Sequence, residues 1–170
     1  MNAPVGIGLD ALAIEKVFLT CFAVNFKTRL VGGAKEPFYR PAAPGTHAEI
    51  HYRSDYSRSA LHEVAHWCIA GPRRRRLEDY GYWYSADNRN LTQQQAFFCV
   101  DAKPQALESF FCAAAGVAFN LSIDNLSLEL TQDTLDQFQA SVSREQSWLF
   151  DKGLPLRATC FAQALRQARQ

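Results

Sequence analysis

A chain of 170 residues with 18 basic and 17 acidic side chains has a formal charge of +1, so no global field recruits nucleic acid or an anionic membrane. Hydrophobic residues at 48% and charged residues at 21% fit a folded domain and exclude an intrinsically disordered chain. One hydrophobic core and one domain spanning residues 1–170 are expected, with a monomer favoured. The cysteines, Cys21, Cys68, Cys99, Cys112 and Cys160, are odd in number and lack CxxC spacing, which argues against a disulfide framework or a thiolate zinc knuckle. Met1 to Gly8 has none of the marks of a secretory signal, and no apolar run approaches the roughly 20 residues of a membrane span. A soluble, cytoplasmic protein is expected.

In chain order, Asp10 to Ala23 carries Leu12, Ala13, Val17, Leu19 and Phe22 among few charges, the pattern of a largely buried first helix. From Thr28 to Arg53 short extended pieces around Leu30, Val31, Phe38, Tyr39, Ile50 and Tyr52, broken by Gly32-Gly33 and three prolines, predict a small sheet. Asp55 or Ser57 can cap a second helix through Leu61 and Ile69, which stops at Gly71-Pro72. After the basic run Arg73 to Arg76, the aromatic stretch Asp79 to Tyr84 has strand character and leads into a polar turn at Ala86 to Asn90. Pro104 suits the first turn of a helix over Gln105 to Ala115 that ends at Gly116. Leu135 to Phe150 and Arg157 to Ala168 read as two further helices, separated by Gly153 and Pro155. The sum is an α+β domain, helix-rich with a small sheet, its HExxH metal-binding helix in a zincin-like arrangement.

His62-Glu63-Val64-Ala65-His66 is that HExxH pattern, which puts two imidazoles one helical turn apart on one face, close enough to share a divalent cation. The plainer alternative is that both histidines hydrogen-bond neighbours on a half-buried face. A third ligand must come from elsewhere, and the downstream acids are Asp101 and Glu108. Glu108 is preferred, since early in a helix starting near Gln105 it can point across at His62 and His66. Asp101 competes, because it shares a face with positions 105 and 108 if that helix starts earlier. Either carboxylate can instead be a cap or a solvated surface group. Such a ligand set suits a zinc peptidase, with Glu63 taking a proton from metal-bound water, or a non-haem Fe(II) oxygenase with open positions. A third class is a non-catalytic binding module with a closed, structural metal site.

Beyond this motif, the chain resembles the elongation factor P hydroxylase family. The resemblance rests on Thr28-Arg29-Leu30-Val31-Gly32-Gly33, Glu36-Pro37-Phe38-Tyr39, Ser59-Ala60-Leu61-His62-Glu63-Val64-Ala65-His66-Trp67-Cys68-Ile69-Ala70-Gly71 and Asp79-Tyr80-Gly81-Tyr82-Trp83-Tyr84. Further along it includes Lys103-Pro104-Gln105-Ala106-Leu107-Glu108 and Phe119-Asn120-Leu121-Ser122-Ile123-Asp124-Asn125-Leu126. It implies a monooxygenase that hydroxylates a lysine of translation elongation factor P already carrying a β-lysyl group. It further implies Fe(II) held by His62, His66 and Glu108, dioxygen as co-substrate, and a catalytic Glu63 that orients a ligand or moves protons. No arginine is placed to anchor 2-oxoglutarate, which is not indicated.

Arg73 and Arg74, within the basic run, are candidates for guiding an acidic protein partner, or else a solvated surface run paired with Glu78 and Asp79. Direct nucleic-acid binding is not expected. Tyr82, Trp83 and Tyr84 are candidates to line a groove for a lysine side chain, although alternate members of a strand face opposite ways. Cys68 points away from the histidines and is expected in the core. Asp124-Asn125 reads as a turn.

Overall fold

The computed structural model describes residues 8–82, 89–123 and 129–170. The first helix, α1 (Ala11–Phe26), starts where the Asp10 side chain accepts from the Ala13 N–H at 2.8 Å, and it stops at Lys27 in the left-handed region. Ile14, Val17, Phe18 and Phe22 bury one face of it. Three strands follow: β1 (Thr28–Ala34), β2 (Phe38–Arg40) and β3 (Ala48–Arg53), in the order β1-β3-β2. β1 runs parallel to the central β3 and β2 antiparallel to it. Leu30, Tyr39, Ala48, Ile50 and Tyr52 turn inward, as the period of two requires.

The β1–β3 register shifts between Val31 and Ala34, and the irregularity has a side-chain cause. Glu15 Oε1 on α1 accepts from the Gly32 N–H at 3.0 Å and from the Tyr52 hydroxyl at 2.7 Å. Tyr52 thereby lies against the bare Gly32 backbone, where a Cβ would meet the phenol oxygen at 2.6 Å.

The histidine helix is α2 (Ser57–Ile69), with Ala60, Leu61, Val64, Ala65, Trp67 and Cys68 buried. Its start differs from expectation: Tyr56 occupies the cap position without a side-chain cap bond. The serines are used otherwise, since Ser57 donates to the Leu9 carbonyl at 3.1 Å and Ser59 Oγ accepts from the Arg53 N–H at 2.9 Å. At the other end, Arg157 Nη2 donates to the Trp67, Cys68 and Ala70 carbonyls, and Arg75 Nη1 also reaches Ala70. These are the carbonyls that a helix terminus leaves unpaired.

The strand expected from Asp79 to Tyr84 is not a strand in its described part. Two short 3-10 turns, Arg74–Arg76 and Glu78–Gly81, carry the chain round, with Asp79 and Tyr80 at φ 45° and 58°. Tertiary contacts override strand propensity here. Asp79 Oδ1 accepts from the Tyr39 N–H at 2.8 Å, Arg74 Nη1 donates to the Tyr80 carbonyl at 3.0 Å, and the Tyr39 and Tyr80 rings stack at 4.3 Å. Trp83, Tyr84, most of the expected turn and Asp124-Asn125 lie outside the described residues.

The helix expected from Gln105 begins much earlier, as α3 (Leu91–Ala115), with Pro104 in its interior. Asn90 and Gln93 form a reciprocal capping box, and that start signal outweighs the proline. Gly116, at φ 72°, ends it as expected. Then come α4 (Gln132–Lys152) and α5 (Leu156–Ala168). The protein is thus mixed α and β, helix-rich, with a three-stranded sheet. Trp67, fully buried, joins the layers by meeting Phe18, Phe22 and Phe26 of α1 at ring-centroid distances of 4.9–5.4 Å. No described helix is long and apolar enough to cross a membrane.

Replacing Gly32 by Ala forces Tyr52 and Glu15 apart. A loss of about 1–3 kcal/mol in urea or thermal unfolding is expected, and an unchanged midpoint would contradict this packing.

Candidate metal centre

Two polar stripes face each other where α2 packs on α3. On α2 it is Arg58, His62 and His66, at intervals of four; on α3 it is Asp101, Gln105 and Glu108. Asp101 and Glu108 are buried carboxylates, 2% and 1% exposed, a placement that requires partners.

Asp101 faces both imidazoles. Its Oδ1 lies 3.1 Å from His66 Nε2 and 3.3 Å from His62 Nε2, and the two Nε2 atoms are 3.1 Å apart. Glu108 sits elsewhere: its Oε2 lies 2.9 Å from Nδ1 of His62. A carboxylate can only accept, so this nitrogen carries a proton, and Nε2 is the atom that faces His66 and Asp101, with a free lone pair once the ring is neutral. The geometry therefore brings His62, His66 and Asp101 together as a possible metal-holding group, and puts Glu108, the carboxylate preferred on sequence grounds, behind His62.

The spacing fits a divalent cation. With nitrogen and oxygen bonds of about 2.1 Å, two ligand atoms stand about 3.0 Å apart at a right angle and about 3.4 Å apart at the tetrahedral angle. All three separations fall inside that interval. Three donor atoms converging beside a buried carboxylate call for positive charge, from a proton or from a cation. Burial opposes charging His62, yet Asp101 and then Glu108 outweigh it and hold the imidazole pKa well above its ordinary value. Burial likewise opposes ionising Asp101, but His62 and His66 together hold that carboxyl well below the usual range.

The centre opens into a cleft of about 750 Å³. Its walls include Phe38, Tyr39, Tyr80, Tyr82 and Phe97, and its charged lining includes Glu36, Arg53, Asp55, Arg58, Glu63 and Asp79. Glu63, singled out for catalysis, thus stands on the cleft wall. The parallel ring of Tyr80 lies 6.4 Å from that of His66. Burial, with Glu63 adding to it, holds the Tyr80 phenol pKa well above its usual value, so it stays a neutral donor.

Among the candidate substrate residues, Tyr82 lines the cleft, with the Arg74 guanidinium 4.4 Å above its ring. Arg74 braces the Tyr80 turn, and among the described residues neither it nor exposed Arg73 lines the cleft. The sequence reading gives no site role to Arg58, Gln105 or Tyr39. The first two were findable: Arg58 stands one turn before His62, and Gln105 lies between two acids at helical spacing.

Residues 17–170 match the family described as "Elongation factor P hydroxylase". A protein of Haemophilus influenzae named "Elongation factor P lysine hydroxylase" is 42% identical over 153 residues, covering 89% of this chain and 85% of that protein.

The raised His62 pKa gives the metal-free protein one pH-dependent contribution to stability. Its contribution is fully present below the unfolded value of about 6.5 and is lost as pH rises through the higher folded value. The depressed Asp101 contributes the opposite edge, present above about 3.9 and lost as pH falls through its lower folded value. Unfolding free energy of the metal-free chain should therefore fall between about pH 6.5 and alkaline pH. Glu108→Gln should reduce that slope, and saturating divalent metal should remove most of it. A metal-free chain whose stability rises over this range would contradict the arrangement.

Proposed function

The chain belongs to the elongation factor P hydroxylase family, and from that premise we propose that it hydroxylates the β-lysyl-modified lysine of translation elongation factor P at the cleft between α2 and α3. In this reading residues 1–170 form a single hydroxylase domain, working in the cytoplasm where its protein substrate works.

The observation that carries the site assignment is the triangle of His62 Nε2, His66 Nε2 and Asp101 Oδ1 opening onto the cleft. We assign these three as ligands of a divalent cation, iron being the metal that suits the chemistry. This puts Asp101 in the place that the sequence reading gave to Glu108. Fe(II) in a two-histidine, one-carboxylate set supplies dioxygen activation for oxygen insertion into a C–H bond. The open cleft supports a reacting centre over a closed structural site, and no finding favours the peptidase or the binding-module reading.

The protein's own groups then have separable tasks. Glu108 keeps the His62 proton on Nδ1 and so keeps Nε2 free. Besides the groups of the centre, the cleft lining holds four carboxylates, Glu36, Asp55, Glu63 and Asp79, against the one guanidinium of Arg53, a balance that suits a substrate bearing ammonium groups. Tyr39, Tyr80 and Tyr82 offer flat apolar walls and cation–π contact to a long methylene chain. Glu63, next to His62 in sequence and on that wall, is the group to hold an ammonium or move a proton. Arg58 is committed to Glu108, so 2-oxoglutarate has no anchor there and is not part of this reading. The exposed Arg73 and Arg76 remain available to steer an acidic protein toward the cleft mouth.

The test is mass spectrometry of β-lysylated elongation factor P incubated with the purified chain, Fe(II), a reductant and air. A gain of one oxygen atom on the modified lysine is expected. His62→Ala, His66→Ala and Asp101→Ala should each abolish it together with stoichiometric iron, whereas Glu108→Gln should retain iron at an affinity reduced by about 10- to 100-fold. An unmodified substrate with the iron-loaded chain would overturn the function, and an Asp101→Ala variant with full iron and turnover would overturn the ligand assignment.

A further inference from the structure

Each carboxylate of the centre turns one oxygen inward to an imidazole and one outward, and both outward oxygens lead to the same stretch of backbone. Glu108 Oε1 accepts from Arg58 Nε at 3.0 Å and Nη2 at 2.8 Å, while that Nη2 also donates to the Asn120 carbonyl. The guanidinium lies 5.5 Å from the centroid of the Phe119 ring. Asp101 Oδ2 accepts from Gln105 Nε2 at 2.7 Å. Gln105 Nε2 donates to the Ser122 carbonyl at 2.6 Å, and its Oε1 accepts from the Ser122 N–H at 3.0 Å. Residues 119–122 thus form a strap beside the centre, tied to one carboxylate by Arg58 and to the other by Gln105.

The chemistry of each tie is specific. Arg58 places two donors of its fork on a single oxygen, which leaves Oε2 of Glu108 for His62 and supplies positive charge beside a buried carboxylate. A lysine ammonium could match the charge but not the fork. Gln105 is fully buried and uses both ends of its amide. Its N–H group occupies Oδ2 of Asp101, so Oδ1 is the oxygen presented to the imidazoles.

We propose that Arg58 and Gln105 are positioning residues: acting through Glu108 and Asp101 and anchored on the 119–122 strap, they set the rotation of both carboxylates and thereby the direction of the three converging donor atoms. The inference rests on the reading that a divalent cation sits among His62, His66 and Asp101. Such supporting groups commonly govern affinity without touching the ion.

Co(II) reports both affinity and coordination geometry. The purified metal-free chain and its Arg58→Ala, Arg58→Lys and Gln105→Met variants would be titrated with Co(II) against a competing chelator. The visible bands would be followed, with thermal melts of each metal-free protein alongside. The wild type should take up one equivalent. Arg58→Ala and Gln105→Met should bind about 10- to 100-fold more weakly with displaced bands. Guanidinium ion at tens of millimolar should restore part of the affinity and the band positions of Arg58→Ala alone, and Arg58→Lys should restore neither. Variants that bind as tightly as wild type with unchanged bands would overturn the proposal. So would weakening that tracks a lowered melting temperature and is not rescued by guanidinium, since that marks a general structural role. A wild-type chain that takes up no Co(II) would overturn the site assignment and this proposal with it.

Discussion

The proton shared between His62 Nδ1 and Glu108 decides how the centre faces. With that proton fixed on the far side of the ring, Nε2 must look into the cleft, where His66 and Asp101 already converge. The alternative tautomer would set a bare Nδ1 against a buried carboxylate and would leave Oε2 of Glu108 without its donor. The bond is therefore chosen by electrostatics. Arg58 reinforces the choice by meeting the remaining charge on Glu108.

The fold brings these groups together by packing two helices whose polar stripes match in height. Trp67 locks α2 onto the phenylalanines of α1, one residue beyond His66, and Arg157 from α5 closes its C-terminal carbonyls. On α3, Phe98 stacks on Phe138 of α4 at 3.9 Å, and Phe111 meets Phe161 of α5 at 5.1 Å. The apolar faces hold both helices at several places, so the polar residues between them have little freedom to turn elsewhere. The left-handed pair Asp79 and Tyr80 stores backbone strain of the kind that clusters at functional sites, offset by the Asp79–Tyr39 bond and the tyrosine stack. Its result is a phenol ring laid parallel to His66 at the cleft wall.

The histidine helix was legible in the sequence because its signals agree. HExxH spacing, buried Leu61, Val64 and Ala65, and the Gly71-Pro72 stop all point to one helix. The small sheet was legible from alternation and proline breaks, and the last two helices from their period. Two element assignments differ from the sequence expectation where a local rule meets stronger tertiary or capping terms. Pro104 reads as a helix start, which sets Asp101 ahead of the helix and favours Glu108 as the ligand. The Asn90–Gln93 capping box shows that α3 had already begun, which puts Asp101, Gln105 and Glu108 on one stripe. The aromatic run after Asp79 looked like a strand, whereas its first residues are bound into a turn by Tyr39 and Arg74. Which carboxylate reaches which nitrogen was beyond any spacing argument, because it depends on the relative height of two helices far apart in sequence.

The ligand triangle is tested most directly by anomalous X-ray scattering from crystals of the chain grown with Fe(II) under anaerobic conditions. A single strong peak is expected about 2.0–2.3 Å from His62 Nε2, His66 Nε2 and Asp101 Oδ1, with Glu108 still on His62 Nδ1. A peak coordinated by Glu108, with Asp101 turned away, would contradict it, as would imidazoles that remain in place with no metal between them.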